Sequence, residues 1–358
     1  MARLGDVCII NPKTPVIDDN LTVSFIPMPK VGENGEFDAS EIKEYREVKK
    51  GFTYFQNGDV LFAKITPCME NGKGAVACML ENGIGFGSTE FHVLRPKDGN
   101  VLSKWIYYLL SWSNFRKEAE NNMTGSAGQK RVPKSFLENY NVMLPPLEKQ
   151  KNQIDSLAKI DDVITLRKQQ LSKLDELVKS RFIEMFDGKG YPKLKWNEVF
   201  NTTTGKLDSN AMVADGKYPF FTCAKEIFRI DKYAFDQEAL LLAGNNAAGK
   251  YDVKYYKGKF NAYQRTYVLG LKQNWSYQLF RYQLEDKLDY LQQQSLGGLT
   301  KYLTIKILGE LEFIVPPMDK QDEFTAFVEQ TDKSKFEIQQ SLEKLEILKK
   351  ALMQKYFG

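Results

Sequence analysis

The chain has 358 residues, of which 42% are hydrophobic and 27% are charged, and its formal net charge is +4. This length leaves room for two domains, and the composition is typical of a soluble globular protein. No apolar run approaches the ~20 residues of a membrane span, and no signal peptide is visible before Asn11, so we expect a cytoplasmic protein without membrane contact.

Cysteine and histidine usage argues against a metal or nucleophilic centre. The cysteines Cys8, Cys68, Cys78 and Cys223 show no CxxC spacing and fit buried thiols in a reducing compartment. The one histidine, His92, lies in a strand-like run, where a packed strand residue is the expected role. A net charge of +4 is a weak sign of nucleic-acid binding, so any DNA-binding face must be a local patch.

The first predicted globular domain spans residues 1–144 and mixes short strands with one helix. In chain order we predict an apolar segment at Arg3–Val7, a turn and strand at Gly58–Ile65, a loop at Pro67–Gly74, a strand at Ala75–Leu80, a turn at Gly83–Gly87, a strand at Thr89–Arg95, a helix at Val101–Ala119 and a last strand at Tyr140–Leu144. A polar loop, Asn121–Gln129, and the pair Lys130-Arg131 precede that last strand.

A long helix is predicted across residues 145–187. Pro145 and Pro146 can open it, because the first helical N–H groups have no partner inside the helix. No proline or glycine follows before Gly188, and apolar residues recur every seven positions from Leu157 to Met185. This pattern is typical of an amphipathic helix that lies on another helix, and its ~40 residues would span roughly 60 Å.

The second predicted globular domain spans residues 188–315 and repeats the first in shorter form. Its elements are Trp196–Val199, which echoes Leu4–Val7, a strand at Glu238–Ala243, strands at Tyr251–Tyr256 and Tyr263–Leu269, a helix at Ser276–Gln293, the Gly297-Gly298 loop with Lys301, and a final strand at Glu312–Val315. A second long helix then covers residues 316–358, with an apolar stripe through Ile338, Leu342, Leu345, Leu348, Leu352 and Tyr356.

An internal duplication explains this order. A shift of 171 residues places Pro145-Pro146 on Pro316-Pro317 and Lys149-Gln150 on Lys320-Gln321, and 12 of the 42 pairs up to Phe186 and Phe357 are identical. Two long helices could match by chance, but the double proline, Lys-Gln and the helix end match together.

The fold class follows from the duplication. We predict an α+β protein in which two similar α/β globular domains are joined and separated by two long antiparallel coiled-coil-like helices, related by a pseudo-two-fold axis. The second helix can bury its stripe only by running back along the first. Such a molecule could hold two similar surfaces at a set distance, as two-fold proteins do on the repeated grooves of DNA.

The chain resembles the specificity subunits of type I restriction–modification systems. The resemblance rests on Leu144–Gln150 with its helix, its second copy at Val315–Gln321, Ser172–Leu177 running to Phe186, and the segments Tyr218–Thr222 and Tyr263–Leu269, which look like the family's target-recognition segments. It covers the whole chain. Two departures are Lys149 and Lys320, where the family often has an acidic residue, and the short second recognition domain.

The resemblance implies a function and a set of partners. Each globular domain would be a target-recognition domain that reads one half of an asymmetric, bipartite sequence in double-stranded DNA. The subunit would be non-catalytic and would bind two methyltransferase subunits at its helices, and restriction/translocase subunits would join them. S-adenosylmethionine, ATP and Mg would belong to those partner subunits, with no cofactor in this chain.

Three alternatives compete with that interpretation. Gly244–Lys250 satisfies GxxxxGK after a strand, which suggests a phosphate-binding loop in a nucleotide-dependent enzyme, but Tyr251 stands where Ser or Thr is needed and a strand is predicted where a helix should follow. Asp252-Val253-Lys254 fits part of a nuclease metal motif, with Asp236 as an imagined second ligand. A structural helical spacer would leave two similar domains with basic loops unexplained.

Candidate DNA contacts are loop residues able to bind phosphates or base edges. In the first domain they are Lys64, Lys73, Ser88, Gln129, Lys130 and Arg131; in the second they are Asn245, Asn246, Lys250, Arg265 and Lys301. Pairing across the repeat supports two of these assignments, Lys73 with Lys250 and Lys130 with Lys301. Residues predicted to pack the helices together or bind partners are Leu157, Ile164, Leu171, Leu174, Val178, Leu342, Leu345 and Leu352.

Overall fold

The computed structural model describes residues 1–97, 99–126, 128–247 and 249–358. The chain divides into a first unit, Met1–Lys168 with Gln340–Gly358, and a second unit, Gln169–Gln339. Each long helix therefore contributes residues to both units. None of the helices in these described ranges is both long and apolar enough to cross a membrane.

The first unit contains ten strands and five short α-helices among its described residues. The strands are β1 Ala2–Arg3, β2 Cys8–Ile10, β3 Thr22–Ile26, β4 Ile42–Glu44, β5 Thr53–Gln56, β6 Val60–Ala63, β7 Gly74–Val76, β8 Ile84–Gly87, β9 Phe91–Pro96 and β10 Asn141–Val142. The helices are α1 Leu4–Val7, α2 Tyr45–Val48, α3 Ser103–Ser111, α4 Ser113–Asn121 and α5 Lys134–Asn139, and the long helix α6 follows at Leu147–Phe186.

Two four-stranded sheets pack against each other in this unit, in the orders β2-β9-β6-β7 and β4-β3-β8-β5. The side chains of strand β6 show how the two sheets and the helices share two cores. Val60 and Phe62 point into a core shared with α3 and α4, whereas Leu61 and Ala63 point into a core shared with the second sheet. All four are buried, as expected for a strand that is covered on both faces and therefore has a continuous apolar sequence.

The second unit has the same number of strands among its described residues. They are β11 Lys193–Lys195, β12 Phe200–Thr204, β13 Tyr218–Phe221, β14 Phe228–Ile230, β15 Phe235–Ala243, β16 Asn245–Asn246, β17 Val253–Ala262, β18 Thr266–Leu271, β19 Lys301–Tyr302 and β20 Glu312–Ile314. Its helices are α7 Trp196–Val199, α8 Tyr277–Asp286, α9 Leu288–Gln294 and α10 Ile305–Gly309, followed by the long helix α11 at Met318–Phe357.

Strand register confirms that the two units are copies. In the first, Val60 of β6 pairs with Val76 and Leu94; in the second, Leu240 of β15 pairs with Tyr255 and Leu269. Strand β15 is long enough to correspond to both β5 and β6, and strand β17 is long enough to correspond to both β7 and β8. The second unit therefore has one six-stranded sheet, β12-β18-β15-β17-β13-β14, in place of two sheets.

The predicted echo of Leu4–Val7 in Trp196–Val199 is also confirmed. Each segment forms one helical turn, flanked by a strand pair, β1 with β10 and β11 with β20. The carboxylate of Asp6 accepts the Arg3 N–H at 3.0 Å, and that of Glu198 accepts the Lys195 N–H at 2.8 Å. These acceptors satisfy backbone donors that a helix start leaves without partners.

Two local expectations were wrong. The predicted turn Gly83–Gly87 is mostly strand β8, because its glycines serve close packing: a Cβ on Gly85 would lie 2.2 Å from the Phe55 ring. The predicted helix Val101–Ala119 is interrupted at Trp112, which has an extended backbone (ψ 131°). Its counterpart in the second unit is also divided, at Lys287, but the backbone there stays in the right-handed helical region (ψ −1°).

Both long helices are confirmed, and each has 40 residues. In the first unit, Leu157 near the start of α6 shares a core with Met353 near the end of α11. In the second unit, Val178 near the end of α6 shares a core with Phe324 near the start of α11. The helix segments inside each unit therefore run antiparallel, as predicted.

The residues predicted to pack the helices differ in burial. Leu157, Ile164, Val178 and Leu342 are buried, and Leu171, Leu174, Leu345 and Leu352 are half-buried. Ion pairs flank them, between Asp161 and Lys349 in the first unit and between Asp175 and Lys335 in the second, each at 2.6 Å.

Candidate nucleic-acid interface

Backbone hydrogen bonds gather the candidate residues of the first unit at the end of β6. The Lys64 N–H donates to the Glu90 carbonyl at 2.9 Å, and the Lys64 carbonyl accepts the Val132 N–H at 2.9 Å. The Thr66 N–H donates to the Lys130 carbonyl at 3.1 Å. We call the resulting surface the first basic edge, which comprises Lys64, Lys73, Ser88, Gln129, Lys130 and Arg131.

Lys73 is held at this edge by its loop. Its carbonyl accepts the Ala63 N–H at 3.1 Å, and its ammonium group lies 3.4 Å from the Met28 carbonyl. Arg116 holds the same loop by donating to the carbonyls of Met69 (2.5 Å) and Gly72 (2.8 Å). Burial lowers the pKa of Arg116 to about 10, which still leaves it charged at neutral pH.

Arg131 is already engaged within the protein. Its guanidinium donates to both carboxylate oxygens of Glu90, at 2.8–3.2 Å, and to the Gln129 carbonyl at 3.0 Å. The hydrogen bond from Arg131 lowers the pKa of Glu90, so the pair is ionised at neutral pH. Arg131 therefore fixes the edge in this state, whereas Lys130 is exposed.

The candidates of the second unit also lie together, at the end of β15. Asn245 and Asn246 of β16 pair with Tyr302 and Lys301 of β19. The Gly244 N–H donates to the Arg265 carbonyl at 2.8 Å, and the Lys250 N–H donates to the Asn246 side chain at 3.3 Å. We call this surface the second basic edge, which comprises Asn245, Asn246, Lys250, Arg265 and Lys301.

Equivalent hydrogen bonds relate the two edges. The bond from the Val132 N–H to the Lys64 carbonyl corresponds to that from the Leu303 N–H to the Gly244 carbonyl, at 2.8 Å. Lys130 and Lys301, each two residues before the donor, therefore occupy equivalent positions, as the 171-residue shift predicts.

The proposed equivalence of Lys73 and Lys250 is wrong. The Ala63 N–H donates to the Lys73 carbonyl, and the equivalent Ala243 N–H donates to the Asp252 carbonyl at 3.0 Å. Asp252 is therefore the counterpart of Lys73. The loop between these two hydrogen-bonded residues differs in length between the two units, and a gapless sequence comparison does not show such a difference.

The structure does not support the phosphate-loop interpretation of Gly244–Lys250. Asn245 and Asn246 are in a strand, and Tyr251 is buried and leads into β17 instead of a helix. A phosphate-binding loop needs a helix N-terminus at this point. Ala248 lies outside the described residues.

Asp252 also has a structural partner. Its carboxylate pairs with the Lys254 ammonium group, which donates to the Ala224 carbonyl at 2.9 Å. The acidic and basic side chains of the triplet thus form an ion pair with each other at the start of β17.

Sequence reasoning missed two buried glutamines that fix the long helices to their units. The Gln150 side chain accepts the Leu102 N–H at 2.9 Å and donates to the Asn100 and Pro145 carbonyls at 2.9 and 2.8 Å. The Gln321 side chain accepts the Ser276 N–H at 2.9 Å and donates to the Pro316 carbonyl at 2.8 Å. The repeated Lys-Gln was the signal that could have identified them.

A sequence model of one protein family matches most of the chain. The family is described as the type I restriction modification DNA specificity domain, and the match covers residues 1–176 and 189–349. The two matched segments correspond to the two copies of the repeat.

Curated relatives carry the same description. The type I restriction enzyme EcoAI specificity subunit of Escherichia coli is 43% identical over 201 residues, which cover 54% of this chain and 34% of that protein. The EcoEI specificity subunit of the same organism is 39% identical over 201 residues, with the same shares. The chain thus spans about a third of the length of the curated relatives that it matches.

Two solved structures share the fold. A type I restriction–modification system S subunit from M. genitalium has a TM-score of 0.64 at 15% identity, over 100% of this chain and 95% of that one. A chain from a structure on complex assembly and conformational transition of the type I R-M system has a TM-score of 0.58 at 17% identity, over 99% and 96%.

Proposed function

We propose, because this chain belongs to the family of type I restriction–modification DNA specificity domains, that it is the DNA-specificity subunit of such a system. Each unit would read one half of a bipartite target in double-stranded DNA. One observation carries the proposal: the same hydrogen-bonded framework presents an edge of basic and amide side chains in both units.

The equivalent positions suggest how the work divides between affinity and specificity. Both units have a lysine at this equivalent position, Lys130 and Lys301, which suits a sequence-independent phosphate contact. Glu90 and Arg265 also occupy equivalent positions, because each directly precedes the first residue of its strand, β9 or β18. These two side chains differ in charge. Edges that differ in charge at an equivalent position would suit different bases, so the two half-targets should differ.

The helices would bind the partner subunits. Leu177 on α6 and Leu348 on α11 are 171 residues apart, and each is 47% exposed. Equivalent exposed leucines suit docking of two copies of one partner, which we propose are two methyltransferase subunits. Restriction/translocase subunits would join them, S-adenosylmethionine, ATP and Mg would be bound by these partners, and this chain would not be catalytic by itself.

Mapping of methylated adenines tests the proposal. The full chain, expressed with a methyltransferase subunit, should co-purify with it and mark a split, asymmetric sequence on host DNA. Cells that carry the methyltransferase subunit alone are the control and should lack the mark. A continuous palindromic target, or no methylated target, would contradict the proposal.

A further inference from the structure

One side chain in each unit connects the central sheet to its basic edge, and sequence comparison does not pair these two residues. They are His92 on β9 and Tyr267 on β18. His92 pairs with Phe62 of β6, and Tyr267 pairs with Leu242 of β15. Because β6 and the second half of β15 are equivalent, His92 and Tyr267 occupy the same site of the fold.

The two side chains make equivalent hydrogen bonds. The His92 Nε2 lies 2.8 Å from the Val132 carbonyl oxygen, and the Tyr267 hydroxyl donates to the Leu303 carbonyl at 3.0 Å. Val132 and Leu303 are 171 residues apart and match in the duplication. An imidazole and a phenol, which differ in length and chemistry, thus bond to equivalent backbone carbonyls in the two units.

The neighbours of His92 settle which ring nitrogen carries the proton. The Asn11 side-chain oxygen accepts the Val93 N–H at 3.0 Å, so its amide nitrogen must face the His92 Nδ1, 3.1 Å away. An amide nitrogen can only donate, so Nδ1 accepts and Nε2 carries the hydrogen. Burial lowers the pKa of His92, which keeps the ring in this neutral form at neutral pH.

The carbonyls that accept these hydrogen bonds lie at the ends of the segments that carry the two equivalent lysines. Val132 and Leu303 are 1% and 5% exposed, so an unpaired carbonyl there would be costly. Each lies two residues after its lysine, within a short segment that also bonds to the end of β6 or β15.

We propose that His92 and Tyr267 are matched positioning residues, each of which fixes the segment Lys130–Val132 or Lys301–Leu303 for contact with its own half of the DNA target. This inference rests on the proposed function. It assigns to each unit a residue that sets DNA-contact geometry without touching DNA. Since the units read separate half-targets, the effect of each residue should be confined to one half.

Substitutions that remove only the hydrogen bond test the idea. Tyr267→Phe deletes the hydroxyl, and His92→Leu deletes the ring N–H donor. His92→Gln keeps an N–H donor at similar reach and should rescue the loss. Tyr233→Phe, which deletes an exposed hydroxyl in the second unit, is the matched control.

The readout is base discrimination by the full chain in complex with its methyltransferase. The probes are two duplex pools, built on the target that the wild type marks, each with one half-target fixed and the other randomised. Because phosphate contacts set the register of a protein on the duplex, misplacement of Lys301 by Tyr267→Phe should lower base discrimination in one half by roughly five- to tenfold, as expected for one lost hydrogen bond, and change the other half less than twofold. His92→Leu should show the reverse pattern.

The outcomes separate this inference from the proposed function. If folded variants, checked by melting temperature, discriminate like the wild type or lose discrimination equally in both halves, the positioning role is overturned while the proposed function stands. If the wild type itself selects no bipartite sequence, both are overturned.

Discussion

At the residue scale, the buried glutamines show how a motif of two prolines and a glutamine joins a globular unit to a long helix. The Gln150 amide nitrogen donates to the carbonyl of Pro145, which precedes α6, and to that of Asn100. The Gln150 oxygen meanwhile takes up the N–H of Leu102, which precedes α3. One side chain therefore satisfies groups from two helix starts.

Removal of these hydrogen bonds should destabilise the first unit. Gln150→Met keeps the side-chain volume but leaves buried polar groups unpaired, and we expect a loss of about 2–4 kcal/mol in the free energy of unfolding. Urea denaturation followed by circular dichroism measures it. Gln169→Met, at an exposed position on the same helix, should change the free energy by less than about 0.5 kcal/mol. Equal effects of the two variants would contradict this role.

At the element scale, strand β8 depends on glycine for the approach of its neighbours. A Cβ on Gly85 would meet the Phe55 ring, and one on Gly87 would lie 2.2 Å from the Ile26 carbonyl oxygen. Both contacts come from other strands. Glycines in sequence therefore suggested a turn, because the packing that requires them is not local.

Alanine at this site should be poorly tolerated. Gly85→Ala forces Phe55 from its position, and overpacking of a core of this kind costs about 1–3 kcal/mol. Thermal unfolding of the full chain measures the loss. Gly270→Ala, also in a strand but with nothing within 4 Å of the new Cβ, is the control and should leave the melting temperature almost unchanged. A Gly85→Ala protein as stable as the wild type would show that the Phe55 ring can move aside without the expected loss of packing.

The lysines of the two basic edges lead to a prediction about the salt dependence of DNA binding. Lys130→Ala or Lys301→Ala should weaken binding to every duplex alike and lower the slope of log affinity against log salt by about one. Fluorescence anisotropy across a salt series measures this slope. Lys104→Ala is the control, because Lys104 adjoins Ser103, which bonds Gly58 at the opposite end of β6. An unchanged slope in either lysine variant would exclude its phosphate contact.

The sequence predicted more of the fold than of the site, for a physical reason. Helix periodicity and the repeated prolines are local signals, so α6, α11 and the duplication could be read directly. Arg131 was a reasonable DNA contact by type, but its partner Glu90 lies 41 residues away and comes close only through the sheet. The counterpart of Lys73 likewise became visible only in strand register.

At the scale of the whole molecule, the division into units gives a test of the proposed role of the helices as a spacer. The division falls between Lys168 and Gln169 on α6 and between Gln339 and Gln340 on α11, positions related by the 171-residue shift. Residues inserted at both points lengthen both helices while each unit keeps its own core. A four-residue insertion in a coiled coil is accommodated by local unwinding.

The inserted turn should change the DNA target in length and leave its bases unchanged. Four residues add about 6 Å to each helix, which corresponds to one or two base pairs at ~3.4 Å per step. Methylated-adenine mapping with the double-insertion protein should therefore find both half-targets intact and their separation increased by that amount. Insertion into α6 alone is the control: it breaks the match between the helices and should abolish methylation. An active double-insertion protein with the original separation would show that the helices do not set the spacer.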